Sequence, residues 1–435
     1  MPRYYKYEQR EKVKKSLLMI VIFFVLFFGS LYTYRYFTAR QQKSAEGIFT
    51  VCELNHKDTI TKIKNEDFTE IYLVNDYLYY GETLNLFHEE YDIKNKDNII
   101  GRTLILTNLC TGDEMVYLLN GFIDSQIPVE SLDDGFYSVK VVSDMIQRRA
   151  YSDHLIDDVF YTIRRDGMSK EVRLIANKDL FSNEQNPDVL DRNYLFIEIS
   201  TKPTPDDVYD IVLDPGHNSR DNGDYIEVGA RANGMIEAEE TYKLAMIIKD
   251  ELEKRGLKVL VTRNESCEVV NTYGENGRLH RAYLSQAKYY LDIQMRAANS
   301  PKTGGSQIVY SSFSSNKMAT ALFNYVIENT DLKSTGYSGA GKISGVIPSG
   351  KINGYDGRMV IRESGGRILA AGTFSEMAIA ENASFALDAV HGLQTFTFEY
   401  IYLTNPDEAL SWQEHYRLYG EKTAEAIVNF LRINE

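Results

Sequence analysis

The segment IVLDPGH, residues 211–217, decides the fold of the C-terminal half of this chain. Its first residues are apolar and predict a buried strand, and the following Asp-Pro-Gly predicts a turn that holds the imidazole of His217 out of the sheet. The next stretch, EAEETYKLAMIIKDELEKRG (237–256), has the apolar spacing of an amphipathic helix that ends at its glycine. LKVLVTR (257–263) then predicts a second strand. A strand, a helix and a strand of these lengths indicate a parallel sheet.

The same alternation continues to the end of the chain. We predict helices over about 277–289, 316–328 and 412–431, and strands at LDIQM (291–295), QIVYSS (307–312) and QTFTFEYIY (394–402). Residues 209–435 are therefore predicted to form an α/β domain. Its sheet is expected to be twisted and mainly parallel, with helices on both faces.

The preceding region, residues 48–202, is predicted to be a β-rich, sandwich-like domain. Its short segments rich in Val, Ile, Tyr and Phe are separated by Asn, Asp and Gly, as in EIYLVNDYLYY, RTLILTNL, EMVYLLNGF, GFYSVKVVS and YLFIEIS. No catalytic constellation is visible in it, which favours a spacer or a module that binds the cell wall or a partner. TKPTPDDVYD (201–210), with two prolines, is the predicted boundary.

The N-terminus carries a membrane signal. SLLMIVIFFVLFFGSLYTY (16–34) has no charged residue and is long enough to span a bilayer as a helix. Because six Lys and Arg precede it, residues 1–15 are predicted to be a cytoplasmic tail, residues 16–37 a transmembrane anchor, and the rest extracytoplasmic. A cleaved signal peptide is the alternative, but TYRYFTARQQ (33–42) offers no small-x-small cleavage site. We therefore expect a single-pass protein of the cell membrane.

The net charge and the cysteine count restrict which ligands and cross-links the protein is expected to have. A formal net charge of −14 argues against nucleic acid, whose binders supply Lys and Arg to phosphate. The three cysteines, Cys52, Cys110 and Cys267, are too few and too scattered for a zinc finger or a disulfide framework. A Cys52–Cys110 bridge and three free thiols both remain open.

Two candidate catalytic side chains fall where open α/β sheets place their sites, at the carboxyl ends of strands. His217 follows the first strand of the domain, and Glu399 lies near the end of the strand QTFTFEYIY. A lone histidine after a strand is more often an ordinary hydrogen-bonded group than a metal ligand. Position alone therefore does not assign a metal.

Several motifs, in order, resemble one enzyme family. IVLDPGHNSRDNG (211–223), NGMIE (233–237), VTR (261–263), LHRAYLSQA (279–287) and FEYIYLTNPDEA (398–409) are similar to the zinc-dependent N-acetylmuramoyl-L-alanine amidase family. The resemblance implies that His217 and Glu237 bind one zinc ion and that Glu399 is the catalytic glutamate. Glu239 and Glu240 lie close enough in sequence to compete for the role of Glu237.

The resemblance also implies an activity and a partner. Such an enzyme binds peptidoglycan and cleaves the amide between N-acetylmuramic acid and L-alanine, using a water that the metal activates and a carboxylate that takes its proton. Other proteins of the cell envelope are expected partners of the β-rich domain. No nucleic-acid partner is expected.

The chain departs from the family at one expected zinc ligand. The family has a second histidine in S-x-H-A-N, whereas the matching stretch is LDIQMRAANS (291–300), which places Arg296 or Ala297 there. Neither residue can ligate zinc, and His391 is a candidate substitute. Asn218 and Ser219 also replace glycines. Two hypotheses follow: an amidase with an altered zinc site, or a catalytically degenerate amidase fold that binds the wall or regulates a partner.

Overall fold

The structure, a computed structural model, describes residues 70–88, 103–119, 121–181, 190–221, 223–339, 341–370 and 385–433. All of these belong to one compact unit, Cys52–Glu435. The predicted tail at 1–15 and anchor at 16–37 lie outside the described residues. Within those residues, no helix combines the length and the apolar character needed to cross a membrane.

Strands dominate the described residues up to Pro203. Two short 3-10 turns, Val129–Ser131 and Lys178–Phe181, interrupt them. The strands are β1 Ile71–Leu73, β2 Asp76–Tyr80, β3 Thr83–Phe87, β4 Thr103–Asn108, β5 Glu114–Leu118, β6 Ile127–Pro128, β7 Gly135–Ser143, β8 Ile146–Ser152, β9 Ile156–Tyr161, β10 Met168–Ala176, β11 Asn193–Tyr194 and β12 Phe196–Pro203.

These strands form two sheets that share a core. The larger runs β1-β8-β7-β12-β10-β9, with β4 and β5 added beside β7 and β11 beside β8, and the smaller contains β2, β3 and β6. Tyr79 and Leu84 of the smaller sheet belong to the same buried cluster as Leu106 and Val139 of the larger one. The predicted β-rich region is confirmed, and its two sheets bury their apolar sides together.

Strands and helices alternate in the rest of the chain. The strands are β13 Ile211–Pro215, β14 Arg231–Ala232, β15 Met235–Ile236, β16 Val259–Val261, β17 Tyr289–Arg296, β18 Gln307–Tyr310, β19 Val346–Pro348, β20 Lys351–Ile352, β21 Tyr355–Asp356, β22 His391–Gly392 and β23 Gln394–Tyr402. The helices are α1 Glu237–Glu253, α2 Arg278–Leu284, α3 Lys317–Glu328, α4 Met359–Ser364, α5 Arg367–Ala370 and α6 Pro406–Leu431.

The central sheet has the order β16-β13-β17-β23-β18-β19. Its first four strands are parallel, and β18 runs antiparallel to β23. Buried residues of α1, α3 and α6 share the largest core with one face of the sheet, while α2 and α4 pack in a second cluster with residues of the opposite face. The predicted mixed α/β domain with a mainly parallel sheet is confirmed.

Two helix ends differ from the prediction for local reasons. The last helix begins at Pro406 rather than at residue 412, because Asn405 caps it by accepting a hydrogen bond from the main-chain nitrogen of Asp407 at 3.0 Å. Proline is favoured in the first turn, where its missing N–H costs nothing. The helix predicted over 277–289 ends at Leu284, since β17 already starts at Tyr289.

The two parts of the described chain are in direct contact. Strand β22 comes from the C-terminal part but pairs with β2. Arg164 donates from Nε to Oδ2 of the fully buried Asp210 at 2.6 Å, and Ile163 belongs to the core of the central sheet. The parts thus pack against each other within one unit, and the predicted boundary at 201–210 stays a prediction.

The two described cysteines differ in their oxidation state. Cys110 is disulfide-bonded, whereas Cys267 is free and exposed. The interpretation of three free thiols is therefore wrong. An oxidised cysteine is typical of proteins outside the cytosol.

Candidate active site

The turn after β13 has an unusual backbone that presents the candidate histidine. His217 and Asn218 adopt φ values of 68° and 55°, in the left-handed region. Asparagine tolerates this region better than most residues, which explains how Asn218 can replace a glycine. Its side chain also donates to the carbonyl of Ser266 at 2.7 Å. The turn therefore projects the imidazole of His217 beyond the carboxyl end of β13.

Two buried arginines hold this turn in place. Arg263 donates to the carbonyls of Pro215 and Gly216 at 3.2 to 3.3 Å. Arg278 donates to the carbonyls of Pro215 and His217 at 3.2 and 3.3 Å. Because both guanidiniums are buried, these bonds are shielded from water and fix the turn firmly.

The imidazole of His217 lies between two carboxylates. Its Nδ1 is 2.6 Å from Oε2 of Glu227, and its Nε2 is 2.9 Å from Oε1 of Glu237. Burial disfavours the imidazolium, but the two carboxylates outweigh it and raise the pKa of His217 to about 9. The hydrogen bond from His217 lowers the pKa of Glu227. In the absence of metal, the histidine is therefore held as a cation.

Of the three neighbouring glutamates in α1, Glu237 is the one that faces His217. It is buried, and its Oε1 also accepts a hydrogen bond from the main-chain nitrogen of Met295 at 2.7 Å. Glu239 is exposed. Glu240 is buried but bonded to Trp412 Nε1 at 3.0 Å. The alternatives at Glu239 and Glu240 therefore have no contact with the imidazole.

Glu399, near the end of β23, is paired with arginines. Its Oε1 accepts from Arg358 Nη2 at 2.9 Å, and its Oε2 lies 3.4 Å from Arg296 Nε. Gln307 Nε2 also donates to Oε2 at 2.5 Å. The carboxylate is buried with 9% of its side chain exposed, so the guanidiniums replace the water that would otherwise solvate it.

Strand β17 separates the two clusters. It lies between β13 and β23. Because neighbouring strands are about 4.8 Å apart, the strand that precedes His217 and the strand that contains Glu399 are about 10 Å apart. Met295 of β17 contacts Glu237, and the next residue, Arg296, contacts Glu399. The structure therefore brings His217 and Glu237 together and places a guanidinium beside Glu399.

The donors present do not complete a three-ligand zinc centre. In the residues described here, no three side chains of the His, Cys, Asp or Glu type are grouped so that they could hold one metal ion. Glu227 and Glu237 contact opposite ring nitrogens of His217, so all three side chains cannot bind the same ion. A catalytic zinc needs three protein donors. Arg296 and Ala297, where the family has its second histidine, supply none.

His391 is not a substitute ligand. It precedes β23 at the amino end of the central sheet, whereas His217 follows β13 at the carboxyl end. Five residues of strand separate the two ends of β13, or about 17 Å. The Nε2 of His391 lies 3.2 Å from the carbonyl of Tyr283, and burial lowers its pKa to about 4. The prediction of His391 as a substitute ligand is therefore wrong. His391 is close to Glu399 in sequence, but the two residues lie towards opposite ends of β23.

Three residues of the site were missed in the sequence. Glu227, Gln307 and Arg358 all belong to segments without a recognisable motif. A carboxylate near a candidate histidine is too common to single out Glu227. Their roles depend on which strands become neighbours.

The fold and the site define an α/β protein with an imidazole and carboxylates at the carboxyl edge of a mainly parallel sheet. The family model described as N-acetylmuramoyl-L-alanine amidase matches residues 211–431, slightly more than half of the chain. The chain belongs to this family. It is thereby assigned to the amide hydrolases that act on peptidoglycan.

Several solved structures are similar to about half of this chain. The N-acetylmuramoyl-L-alanine amidase AmiC2 of Nostoc punctiforme shares 18% identity, with a TM-score of 0.37, over 53% of this chain and 99% of that one. The catalytic domain of CwlV from Bacillus (Paenibacillus) polymyxa var. colistinus shares 16%, with a TM-score of 0.36, over 52% and 100%. The CwlD amidase from Clostridioides difficile, in complex with the GerS lipoprotein, shares 17%, with a TM-score of 0.34, over 52% and 100%. No curated protein is detectably similar to the chain.

Proposed function

We propose that this protein is a membrane-anchored peptidoglycan hydrolase that cleaves the amide between N-acetylmuramic acid and the L-alanine of the stem peptide. The observation that carries the proposal is the contact of 2.9 Å between His217 Nε2 and Glu237 Oε1 at the carboxyl edge of the sheet. These are the two side chains that match metal ligands of the family. Family membership supports the substrate class.

Zinc is part of the proposal, with an incomplete donor set. His217 and Glu237 are the donors that this chain offers, and the family's ion would supply an activated water. A two-donor site holds an ion weakly, because catalytic sites already rely on three protein ligands. The zinc content of the protein is therefore expected to depend strongly on the zinc concentration.

Glu399 is the proposed catalytic carboxylate. Hydrolysis of an amide requires a base that takes a proton from water and an acid that returns it to the leaving amine. Glu399 now accepts hydrogen bonds from Arg358 and Gln307. These bonds occupy one acceptor position on each of its oxygens, and the remaining lone pairs can accept a proton from water.

A second candidate function is a wall-binding or regulatory module without catalysis. The contact between Arg296 and Glu399 favours it, because a permanent guanidinium at one of the two candidate positions of the missing ligand pairs with the proposed base. Both functions use the same cleft and the same polymer. They differ in whether the amide is cut.

The location in the cell membrane rests on the sequence and on one chemical observation. The uncharged segment 16–34 and the basic residues before it support an anchor with a cytoplasmic N-terminus. The disulfide at Cys110 supports exposure of the following domains to an oxidising compartment. Binding of envelope proteins by the β-rich region stays a prediction.

Metal analysis and a wall-digestion assay separate the two functions. The full-length protein, purified in detergent with zinc, is incubated with purified peptidoglycan, and new L-alanine amino groups are measured. The amidase proposal expects release that a chelator stops and that Glu399→Gln abolishes. Retained wall binding with no new amino groups, at saturating zinc, would leave the binding module.

A further inference from the structure

Two arginines from different elements converge on one carboxylate at the open edge of the site. Arg296 ends β17, and Arg358 immediately precedes α4. Their side chains are 29% and 35% exposed, whereas that of Glu399 between them is 9% exposed. The guanidiniums therefore reach solvent while the carboxylate that they bind lies beneath them.

The guanidinium of Arg358 keeps unused hydrogen-bond donors. Arg296 and Arg358 both contact Glu399, and Arg358 also acts on the buried Asp292, whose pKa is raised by burial and lowered by this guanidinium. In the described part of the chain, the hydrogen bond to Glu399 is the only one that the Arg358 guanidinium makes. A guanidinium has five N–H donors, so Arg358 retains donors for a second acceptor.

Arg296 is fixed independently of Glu399. Its guanidinium lies 4.4 Å from the centre of the Tyr402 ring, and its Nη1 donates to Gln307 Oε1 at 2.9 Å. Stacking and a hydrogen bond hold the planar group in one orientation, so less entropy is lost when it binds an anion. The site is thus built in advance of its ligand.

We propose that Arg296 and Arg358 bind a free carboxylate of an acidic stem peptide. This inference rests on the proposed function for its polymer and adds the chemical group that is recognised. The arriving carboxylate takes over hydrogen bonds from Arg358, as paired N–H groups and carboxylates match in geometry.

Calorimetry on the full-length protein in detergent tests the inference. The probe is the synthetic peptide L-Ala-γ-D-Glu-L-Lys with its C-terminus amidated, so that the D-Glu α-carboxylate is the free acid, and it is compared with the same peptide carrying an amide there. We expect the acid to bind about tenfold more tightly, as a charged hydrogen bond predicts. Arg358→Gln and Arg296→Gln should each remove that preference.

Glu399→Gln gives a signature that misfolding cannot produce. It removes the internal competitor for both guanidiniums, so it should bind the acidic peptide several-fold more tightly than the native protein. Arg173→Gln is the matched control, because Arg173 pairs with Asp157 at 2.6 Å on β9 and β10, in the sheet of the N-terminal part. It should leave binding unchanged.

The outcomes are separable from those of the proposed function. Equal binding of acid and amide, or competition by inorganic phosphate at the same concentration as the peptide, overturns the carboxylate site. If the carboxylate site is overturned in this way but amino groups are still released from peptidoglycan, the amidase proposal stands and only the carboxylate site is rejected. If the protein binds the acidic peptide more tightly than the amide but releases no amino groups from peptidoglycan, the carboxylate site is supported and the amidase proposal is rejected.

Discussion

The Nε of Arg296 lies 3.4 Å from Oε2 of Glu399. This contact ties Arg296, one of the two residues at the expected third metal-ligand position, to the expected catalytic carboxylate. A cation therefore stands beside Glu399, but it belongs to the protein rather than to a bound metal. The affinity of the site for metal and the ability of Glu399 to accept a proton are therefore both expected to depend on Arg296.

Arg296→His should strengthen metal binding. The substitution places an imidazole on the strand next to His217 and Glu237, supplying the third donor that a catalytic zinc requires. We expect about one zinc per chain to survive dialysis, with the native protein retaining much less. Metal analysis of the full-length proteins measures the difference.

Arg296→Gln is the matched control for that substitution, since it removes the same charge and adds no ligand nitrogen. A protein with Arg296→His that retains no more zinc than Arg296→Gln would show that β17 does not reach the ion. Adding His217→Ala to Arg296→His should return retention to the native level.

Gly229→Ala should disturb the contact between His217 and Glu237. Gly229 has φ of 74°, and a Cβ there would lie 2.6 Å from both Glu237 Oε2 and His217 Cδ2. We expect a loss of about 2–3 kcal/mol of unfolding free energy, from backbone strain plus the clash. Urea unfolding measures it.

Gly167→Ala is the control that isolates the clash. Gly167 has φ of 77° with no atom within 4 Å of the added Cβ, so only the strain of about 1 kcal/mol remains. Equal losses for the two substitutions would contradict the tight packing around the imidazole.

Asp210→Asn should destabilise both parts of the described unit together. Asp210 is fully buried and accepts hydrogen bonds from Arg164 Nε at 2.6 Å and from the main-chain nitrogen of Lys258 at 2.7 Å. Removing its charge leaves a guanidinium without its partner, which costs about 3 kcal/mol. Urea denaturation should shift as one transition.

The exposed pair of Arg173 and Asp157 provides the comparison. Arg173→Gln should cost no more than about 1 kcal/mol, since water solvates both partners. Two separate transitions in Asp210→Asn, with the second unchanged, would argue that the parts unfold independently.

His391 should make the protein sensitive to acid. Its folded pKa of about 4 lies below the ordinary value of 6.5. The unfolded chain therefore binds the proton more readily, and stability is fully present above pH 6.5 and is lost as the pH falls towards 4. His391→Gln removes this linkage. Between pH 7 and pH 4.5 the native protein should lose about 2 kcal/mol more than the variant.

Urea unfolding at both pH values checks this difference. A larger loss in His391→Gln than in the native protein would mean that the imidazole is charged in the folded state. The hydrogen bond to the Tyr283 carbonyl raises the pKa, but burial is the stronger effect.

Local patterns were sufficient for the elements of the central sheet. The strand QTFTFEYIY was predicted at 394–402 and occupies those residues, because a run rich in aromatic and β-branched residues favours a strand. The helix of 237–256 was predicted from its apolar spacing, and α1 spans Glu237–Glu253. The end of this helix is also determined by nearby residues, since Gly256 has a φ of 81°, in the left-handed region that ends helices.

The sequence by itself therefore determined the architecture and the family, since periodicity and motif spacing act between residues close in the chain. The tertiary structure alone decided the chemistry of the site. That Glu227 also contacts His217, and that Arg358 reaches Glu399 from 41 positions away, depend on strand order and on loops that fold over the sheet edge. Charge interactions fall off with distance in space rather than along the chain, so no pattern of neighbours could have revealed them.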